Sequence, residues 1–248
     1  MKIFIDPGHG GGSTGAVYKG RKEQDDCLRL SLAVRDILLT QKDVEVMLSR
    51  EDDSNPSITE RCNMANRWGA GYFCSIHRNA IGENIAQGIE AWVYSKVETG
   101  GETFNMAENI VDGICEAVPF RNRGVKKGAP SYTDFGVNRL TKMSSCLLEV
   151  GFIDSVADNA LFDGYFADMA LSTAKGLMKN GGLAYVPPIV KGDADGDGKV
   201  TAADARLILR AAVGLEEVDL ERGDIDGDGK ITSSDARSAL RISVGEEG

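Results

Sequence analysis

No apolar run in this chain approaches the length of a membrane span. The opening residues predict no secretory leader either. Met1-Lys2 passes through only Ile3-Phe4-Ile5 before Asp6-Pro7-Gly8-His9, which is too short an apolar stretch and offers no small-residue cleavage site. The expectation is a protein made in the cytoplasm that leaves by another route, or one whose leader has been removed. Paired cysteines are also lacking. Cys27, Cys62, Cys74, Cys115 and Cys146 are odd in number and form no C-x-x-C pair, which fits a reducing compartment and argues against a disulfide framework. Cys74 and Cys146 lie in apolar, strand-like runs where a thiol serves as a small buried hydrophobe. Positive charge is in deficit. A net charge of −10 makes a nucleic-acid phosphate backbone a poor partner. Histidine is scarce, with two in 248 residues.

What is present is an alternation of β-rich and helical patterns. Lys2 to Asp6, Val44 to Arg50, Tyr72 to His77, Ile89 to Tyr94 and Cys146 to Phe152 read as strands, several of them continuously apolar. Gln24 to Leu39, Thr59 to Trp68, Glu102 to Val118 and Val156 to Lys179 carry helical periodicity. The pattern predicts an α/β fold, a mostly parallel sheet with helices on both faces. Ligand sites in such sheets form beyond the carboxyl ends of strands. Gly181-Gly182 closes the last helix of this body and Val186-Pro187-Pro188 is a stiff connector. The expected division is a body over 1–182, a linker over 183–191 and a small helical C-terminal module over 192–248. From Ile189 onward 14 acids face 8 bases, so more than half of the net charge sits in the tail.

The tail repeats itself. Asp193-Ala194-Asp195-Gly196-Asp197-Gly198-Lys199-Val200-Thr201 returns 31 residues later as Asp224-Ile225-Asp226-Gly227-Asp228-Gly229-Lys230-Ile231-Thr232. Each copy reaches a twelfth-position acid, Asp204 or Asp235. Positions one, three and five of such an EF-hand-like loop aim carboxylates at one point, and glycine at six permits the turn. Position seven, Lys199 or Lys230, gives its backbone carbonyl, and position twelve closes the shell around a calcium ion. Both loops end in aspartate rather than glutamate, and Gly192 and Gly223 stand where an incoming helix would be expected. With Asp-Ala-Arg-Leu-Ile-Leu-Arg and Asp-Ala-Arg-Ser-Ala-Leu-Arg following, the tail resembles dockerin modules. That resemblance implies two calcium ions, a fold dependent on them and docking to a cohesin-like partner, with self-association as the alternative. Ala202-Ala203 and Ser233-Ser234 match the family's partner-reading positions and differ between the copies.

Both histidines follow or end strands: His9 after Ile5-Asp6-Pro7-Gly8, His77 in Ser75-Ile76-His77-Arg78-Asn79-Ala80. Glu23 opens the first long helix, and Glu149 lies in the apolar run Leu147-Leu148-Glu149-Val150. Two imidazoles and a carboxylate are natural zinc ligands that leave a fourth position open. A glutamate among apolar residues has a pKa raised toward general-base range. Singly, each has an ordinary structural reading. Asp25 and Asp26 compete with Glu23 as ligands.

Together, the Asp6-Pro7-Gly8-His9-Gly10-Gly11 opening, Lys22-Glu23, Arg50, Glu60-Arg61 to Ala65-Asn66, Ser75 to Ala80 and Leu148 to Phe152 resemble the zinc-dependent N-acetylmuramoyl-L-alanine amidases of cell-wall hydrolases and phage endolysins. The resemblance spans about Lys2 to Leu177. It implies that His9, Glu23 and His77 hold zinc, that Glu149 is the catalytic acid/base, and that peptidoglycan is the substrate. Arg78 replaces a usual small residue, and with Asn79 it is a candidate to touch substrate, Arg78 by contacting a carboxylate of the peptide stem. Cys27 replaces a frequent asparagine one turn after Glu23. The rival readings are a zinc peptidase cutting another amide, a non-catalytic wall-binding protein and a calcium-dependent docking subunit. A leaderless amidase with a small C-terminal module favours a phage endolysin over a host autolysin, acting on the wall after release.

Overall fold

Along strand β1, Lys2–Pro7, successive side chains point to opposite faces, and both sets are buried. Ile3 and Ile5 enter one apolar core and Phe4 another, so the strand must be covered on two sides. The computed structural model describes residues 1–129 and 134–246 and shows how that is achieved. After β1 come a small hairpin of β2, Val17–Tyr18, and β3, Arg21–Lys22, and then helix α1, Glu23–Leu39. Next are β4, Glu45–Leu48, α2, Ile58–Trp68, β5, Tyr72–Asn79, and β6, Ile89–Val93. The body finishes with α3, Glu102–Ala117, β7, Asn122–Lys127, α4, Gly136–Leu140, β8, Ser144–Phe152, α5, Val156–Gly164, and α6, Phe166–Asn180.

Six strands form one sheet in the order β4-β1-β5-β8-β6-β7. All neighbours are parallel except β6 and β8, which run antiparallel with Glu90 opposite Glu149. Ile3, Ile5, Cys74, Ile76, Cys146 and Leu148 face one core with residues of α1, α3 and α6; Phe4, Phe73 and Leu147 face the other with residues of α2 and α4. The expected α/β class is therefore the observed one. Periodicity ran Val156 to Lys179 together as one helical stretch, whereas the chain breaks it at Tyr165, which leaves helical geometry after Gly164. The break lets Phe162 and Phe166 meet edge-on at 5.8 Å. Strand β7 escaped the pattern because it is a polar edge, Asn122-Arg123-Gly124-Val125-Lys126-Lys127, with one apolar residue.

Polar chemistry pins the carboxyl ends of β1 and β5. Asp6 is 1% exposed, and its Oδ1 accepts from Ser49 Oγ at 2.5 Å and Arg61 Nη1 at 2.7 Å. Its Oδ2 accepts from Ser75 Oγ at 2.6 Å. Arg61, from α2, goes on to donate to the carbonyls of Pro7, Pro56 and His9.

The chain divides into two compact units, Met1–Tyr185 and Val186–Gly248. The second holds α7, Ala202–Ala212, α8, Leu220–Gly223, and α9, Ser233–Ser243. Thr201 and Thr232 cap α7 and α9, each in a reciprocal box with an acid three residues on, Asp204 or Asp235. The core of this unit is small: Ala205, Ile208, Ala236 and Ala239, with Ala194, Val200, Ile225 and Ile231 against it. Among the described residues no helix is long and apolar enough to cross a membrane.

Replacing Asp6 by alanine strands the Arg61 guanidinium in the protein interior. The expected cost is about 3–5 kcal/mol, the range for breaking a buried ion pair. Urea unfolding followed at the first unit's transition measures it, and a loss below about 1 kcal/mol, the scale of a surface pair, would contradict the account.

Candidate functional site

Three donor atoms converge at the carboxyl ends of β1 and β5. His9 Nε2 lies 3.1 Å from Glu23 Oε1, and His77 Nδ1 lies 2.9 Å from the same oxygen. The two rings meet edge-on with centroids 4.9 Å apart. Local structure explains the convergence. His9 takes φ +59, an uncommon conformation for a side-chain-bearing residue. Arg50 holds the loop there, donating to the carbonyls of Pro7, Gly8 and Gln24 at 3.1, 2.7 and 2.9 Å. That last bond ties the loop to the first turn of α1, one residue past Glu23. Gly8 is required by close approach, since a Cβ there would lie 2.4 Å from the His77 ring. Gly15 sits at φ +66, and a Cβ would meet Glu23 Oε2 at 2.5 Å and His9 Cδ2 at 2.7 Å.

The glutamate is itself fixed. Glu23 Oε2 accepts from the Ala16 N–H at 2.8 Å and Oε1 from the Arg78 N–H at 3.1 Å. Burial opposes its charge, but the imidazoles of His77 and His9 outweigh that and hold the carboxyl well below the usual range. His9 Nδ1 lies 3.3 Å from Ser13 Oγ, a partner that leaves Nε2 to face the cluster. The set fits a zinc ion. Bonds of about 2.0–2.2 Å in a tetrahedral shell give ligand-to-ligand edges of roughly 3.3 Å, close to the spacings seen. His9, Glu23 and His77 form a cluster whose potential ligand atoms all lie within 4.8 Å. Asp25 is exposed, and Asp26 is spent on Arg21 and Arg78, so neither competing carboxylate reaches the focus.

Glu149 lines the same cleft of about 680 Å³, whose other wall brings Ser57, the cap of α2, Ile58 of α2, and Gly136 and Val137 of α4. Its Oε2 is out of solvent and has no hydrogen-bond partner among the described residues. Burial pushes its pKa well up, the carboxylates of Glu23 and Glu90 push it further, and Arg78 and Lys126 pull only partly back. Glu90, its cross-strand neighbour, has the opposite surroundings. Asn79 Nδ2, Trp92 Nε1, Arg123 Nε and Lys126 Nζ all donate to it, and they hold its carboxyl low against burial. The sequence carried the signal for Glu90, a carboxylate inside the apolar run Ile89 to Tyr94, but it went unread. Burial raises the Cys27 thiol well above its ordinary range, which makes it an inert packing group.

Arg78 corrects an expectation. Strand alternation turns its side chain away from His77, and the guanidinium is buried against Asp26, Asn159 Oδ1 at 2.7 Å and the Phe162 ring at 4.2 Å. It is a structural cation, 2% exposed, with both Nη atoms committed to protein acceptors and Nε buried without a partner among the described residues. Asn79 does line the cleft, with its amide nitrogen 3.1 Å from Glu90.

In the second unit the structure brings together Asp193, Asp195 and Asp197, and likewise Asp224, Asp226 and Asp228, each set with oxygens within 4.8 Å. The twelfth-position acids stand apart from these trios. Asp204 accepts at Oδ1 from the Ala194 and Asp195 N–H groups and at Oδ2 from Thr201, and Asp235 does the same with Ile225, Asp226 and Thr232. They lock loop to helix. Lys199 and Lys230 have exposed side chains, and their N–H groups donate to Asp197 and Asp228.

The buried position of Arg78 makes a prediction. Arg78→Ala should cost about 2–5 kcal/mol of stability, by leaving a cavity beside Phe162 and taking one of its two cations from Asp26, while the folded fraction keeps its relative preference among substrates with different stem carboxylates. Altered preference at unchanged stability in a thermal melt would restore the substrate role.

Comparison with known proteins agrees with this geometry. Residues 3–179 match the family model described as N-acetylmuramoyl-L-alanine amidase, and residues 191–238 match the type I dockerin domain. The chain is 40% identical over 182 residues to the N-acetylmuramoyl-L-alanine amidase CwlM of Bacillus licheniformis, covering 72% of this chain and 68% of that one. It is 31% identical to an endolysin of Bacillus phage SPP1, over 71% of this chain and 64% of the endolysin. It thus spans about two thirds of the length of these curated relatives. Among solved structures, the N-acetylmuramoyl-L-alanine amidase from Clostridium difficile 630 superposes with a TM-score of 0.66 at 32% identity, over 72% of this chain and 95% of that one. The chain belongs to the N-acetylmuramoyl-L-alanine amidase family of peptidoglycan hydrolases and carries a type I dockerin domain behind it.

Proposed function

We propose that residues 1–182 are a zinc-dependent catalytic domain that hydrolyses the amide between N-acetylmuramic acid and L-alanine. The observation that carries this reading is the meeting of His9, Glu23 and His77 in one cleft with a carboxylate, Glu149, whose Oε2 has no partner among the described residues. Zinc, when bound by those three side chains, supplies Lewis acidity that polarises the scissile carbonyl and acidifies water. Glu149 accepts the proton of the attacking water at its unpartnered oxygen and returns it to the departing L-alanine amine. Glu90 stays ionised beside it and keeps Asn79 at the cleft edge. Arg50 and Arg61 hold the His9 loop in its unusual backbone conformation throughout.

Beyond a linker over 183–191, residues 192–248 are, in the same reading, a calcium-binding docking module. Asp193, Asp195 and Asp197 with the Lys199 carbonyl and Asp204 would hold one ion; Asp224, Asp226 and Asp228 with the Lys230 carbonyl and Asp235 would hold the other. The dockerin match supports a cohesin-like protein as the partner.

The setting we infer is that of a phage endolysin, made in the cytoplasm and released to the wall, with the phage relative in support. The Bacillus licheniformis amidase supports a host wall enzyme as the second reading. Expression inside a bacterium without a membrane pore should leave the culture intact until the membrane is permeabilised; clearing before permeabilisation would count for the host enzyme.

Glu149→Gln should keep zinc, by elemental analysis, and lose turnover on purified peptidoglycan by about 10²–10⁴-fold, the usual worth of a positioned acid/base. Mass spectrometry of the parent protein's digest should show stems released with a free L-alanine amine. Exhaustive chelation should stop the reaction and zinc alone should restore it; activity that survives chelation refutes the metal reading.

A further inference from the structure

Arg222 stands at the threshold of the second Asp-rich loop, yet its side chain serves the first. Its Nη1 donates to Asp193 Oδ2 at 2.9 Å and to the Asp193 carbonyl at 3.2 Å, and only 20% of the side chain is exposed. The exchange runs both ways. Lys191 precedes Asp193 by two residues, as Arg222 precedes Asp224, and its Nζ reaches the Ile225 carbonyl of the second loop at 3.4 Å. The Gly192 N–H donates to the Arg222 carbonyl at 2.7 Å, so the two thresholds are also joined through backbone.

The two crossings are chemically unequal. In the first loop a guanidinium sits on a carboxylate; in the second an ammonium sits on a carbonyl. Among the described residues no base pairs with Asp224, Asp226 or Asp228. In other respects the loops match closely. Gly198 donates to Asp193 Oδ2 at 3.0 Å and Gly229 to Asp224 Oδ2 at 2.9 Å, and the contacts to each first aspartate's Oδ1 also correspond. Among the described residues Arg222 is therefore the charged side chain that pairs with one acidic set and has no counterpart paired with the other.

We propose that Arg222 makes the two loops unequal calcium sites, so that the module fills residues 224–235 before residues 193–204. This rests on the calcium reading of the second unit. With no ion present, three carboxylates within 4.8 Å repel one another, and the guanidinium offsets part of that repulsion in the first loop only. When calcium arrives, the first loop offers a set with one less net negative charge, and affinity in such loops follows ligand charge. The same arginine thus steadies the first loop without the ion and weakens it toward the ion. A side chain needed only for packing would not produce effects of opposite sign.

The test uses the full zinc-loaded chain with ¹⁵N-labelled glycine, titrated with calcium from a calcium-depleted state. The amides of Gly198 and Gly229 report the two loops separately. In the parent protein the Gly229 midpoint should fall at about tenfold lower calcium than that of Gly198, the order expected for one charge in the shell. Arg222→Gln should move the Gly198 midpoint down to join it and leave Gly229 in place. Arg222→Lys, which keeps the charge, should preserve most of the gap. Coincident midpoints in the parent overturn the proposal without needing any variant to fold. So does an Arg222→Gln protein in which both midpoints move together or neither moves. If calcium shifts neither glycine, the calcium reading itself fails, and that result is distinct from a well-bound pair of equal sites.

Discussion

A buried guanidinium holds the catalytic unit's chemistry in place. Arg61 gathers Asp6, the carbonyls of Pro7, Pro56 and His9, and the Asn55 side chain around one side chain that is itself nearly sealed from solvent. The end of β1, the start of α2 and the His9 loop therefore cannot move independently. Arg50 makes the matching tie to α1. A histidine at positive φ costs on the order of 1–3 kcal/mol, and such a conformation persists only where surroundings over-determine it. Two arginines, each planar and rich in donors, supply that over-determination in a way a lysine could not. The convergence of His9, Glu23 and His77 is thereby a consequence of the buried polar network beneath it.

Within this frame three carboxylates from three elements lie close together and are treated differently. Glu23 is held ionised by two imidazoles and two backbone N–H groups, Glu90 by an arginine, a lysine and two neutral donors. Glu149 receives none of this, and the charges on the other two add to the cost of its own. Nearby acids whose environments drive their pKa values apart mark a division of labour between binding and proton transfer. A bound cation would take over from the imidazoles the task of stabilising Glu23, and would soften the field at Glu149 without giving it a hydrogen-bond partner. The antiparallel pairing of β6 with β8 matters here, because it sets Glu90 directly across from Glu149.

Much of this was legible beforehand because it is local. Strands β1, β5 and β8 are continuous apolar runs, and a strand covered on both faces can look like little else. The Asp-Gly loops announce themselves through fixed spacing, and the histidines through scarcity. What stayed hidden depends on which face a side chain takes or on distant partners. Arg78 directly follows a candidate ligand in sequence, yet the period of two sends it to the opposite side, where Asp26 and Asn159 were not foreseeable neighbours. Asp204 and Asp235 stand at the ligand position and also accept from the N–H and hydroxyl groups of the helix caps, a second duty that spacing does not announce. Arg222 looked like one base among many in an acidic tail. Its meaning comes only from the near-symmetry that carries it across to the other loop.

The two units obtain their order from different sources. In the first, apolar cores on both sides of a six-stranded sheet fix the backbone, and the buried polar network then sets the ligands. In the second the fully buried apolar set is Ala205, Ile208, Ala236 and Ala239, three of them methyl side chains. At about 25 cal/mol per Å² such a core contributes little against the entropy of ordering two long loops and the helices that follow them. Domains this small depend on a staple such as a metal ion. The six clustered carboxylates then become intelligible as a store of repulsion that a cation converts into cohesion, so that binding energy is folding energy. The first unit should thus remain ordered when its metal leaves, whereas the second has few other means of staying folded.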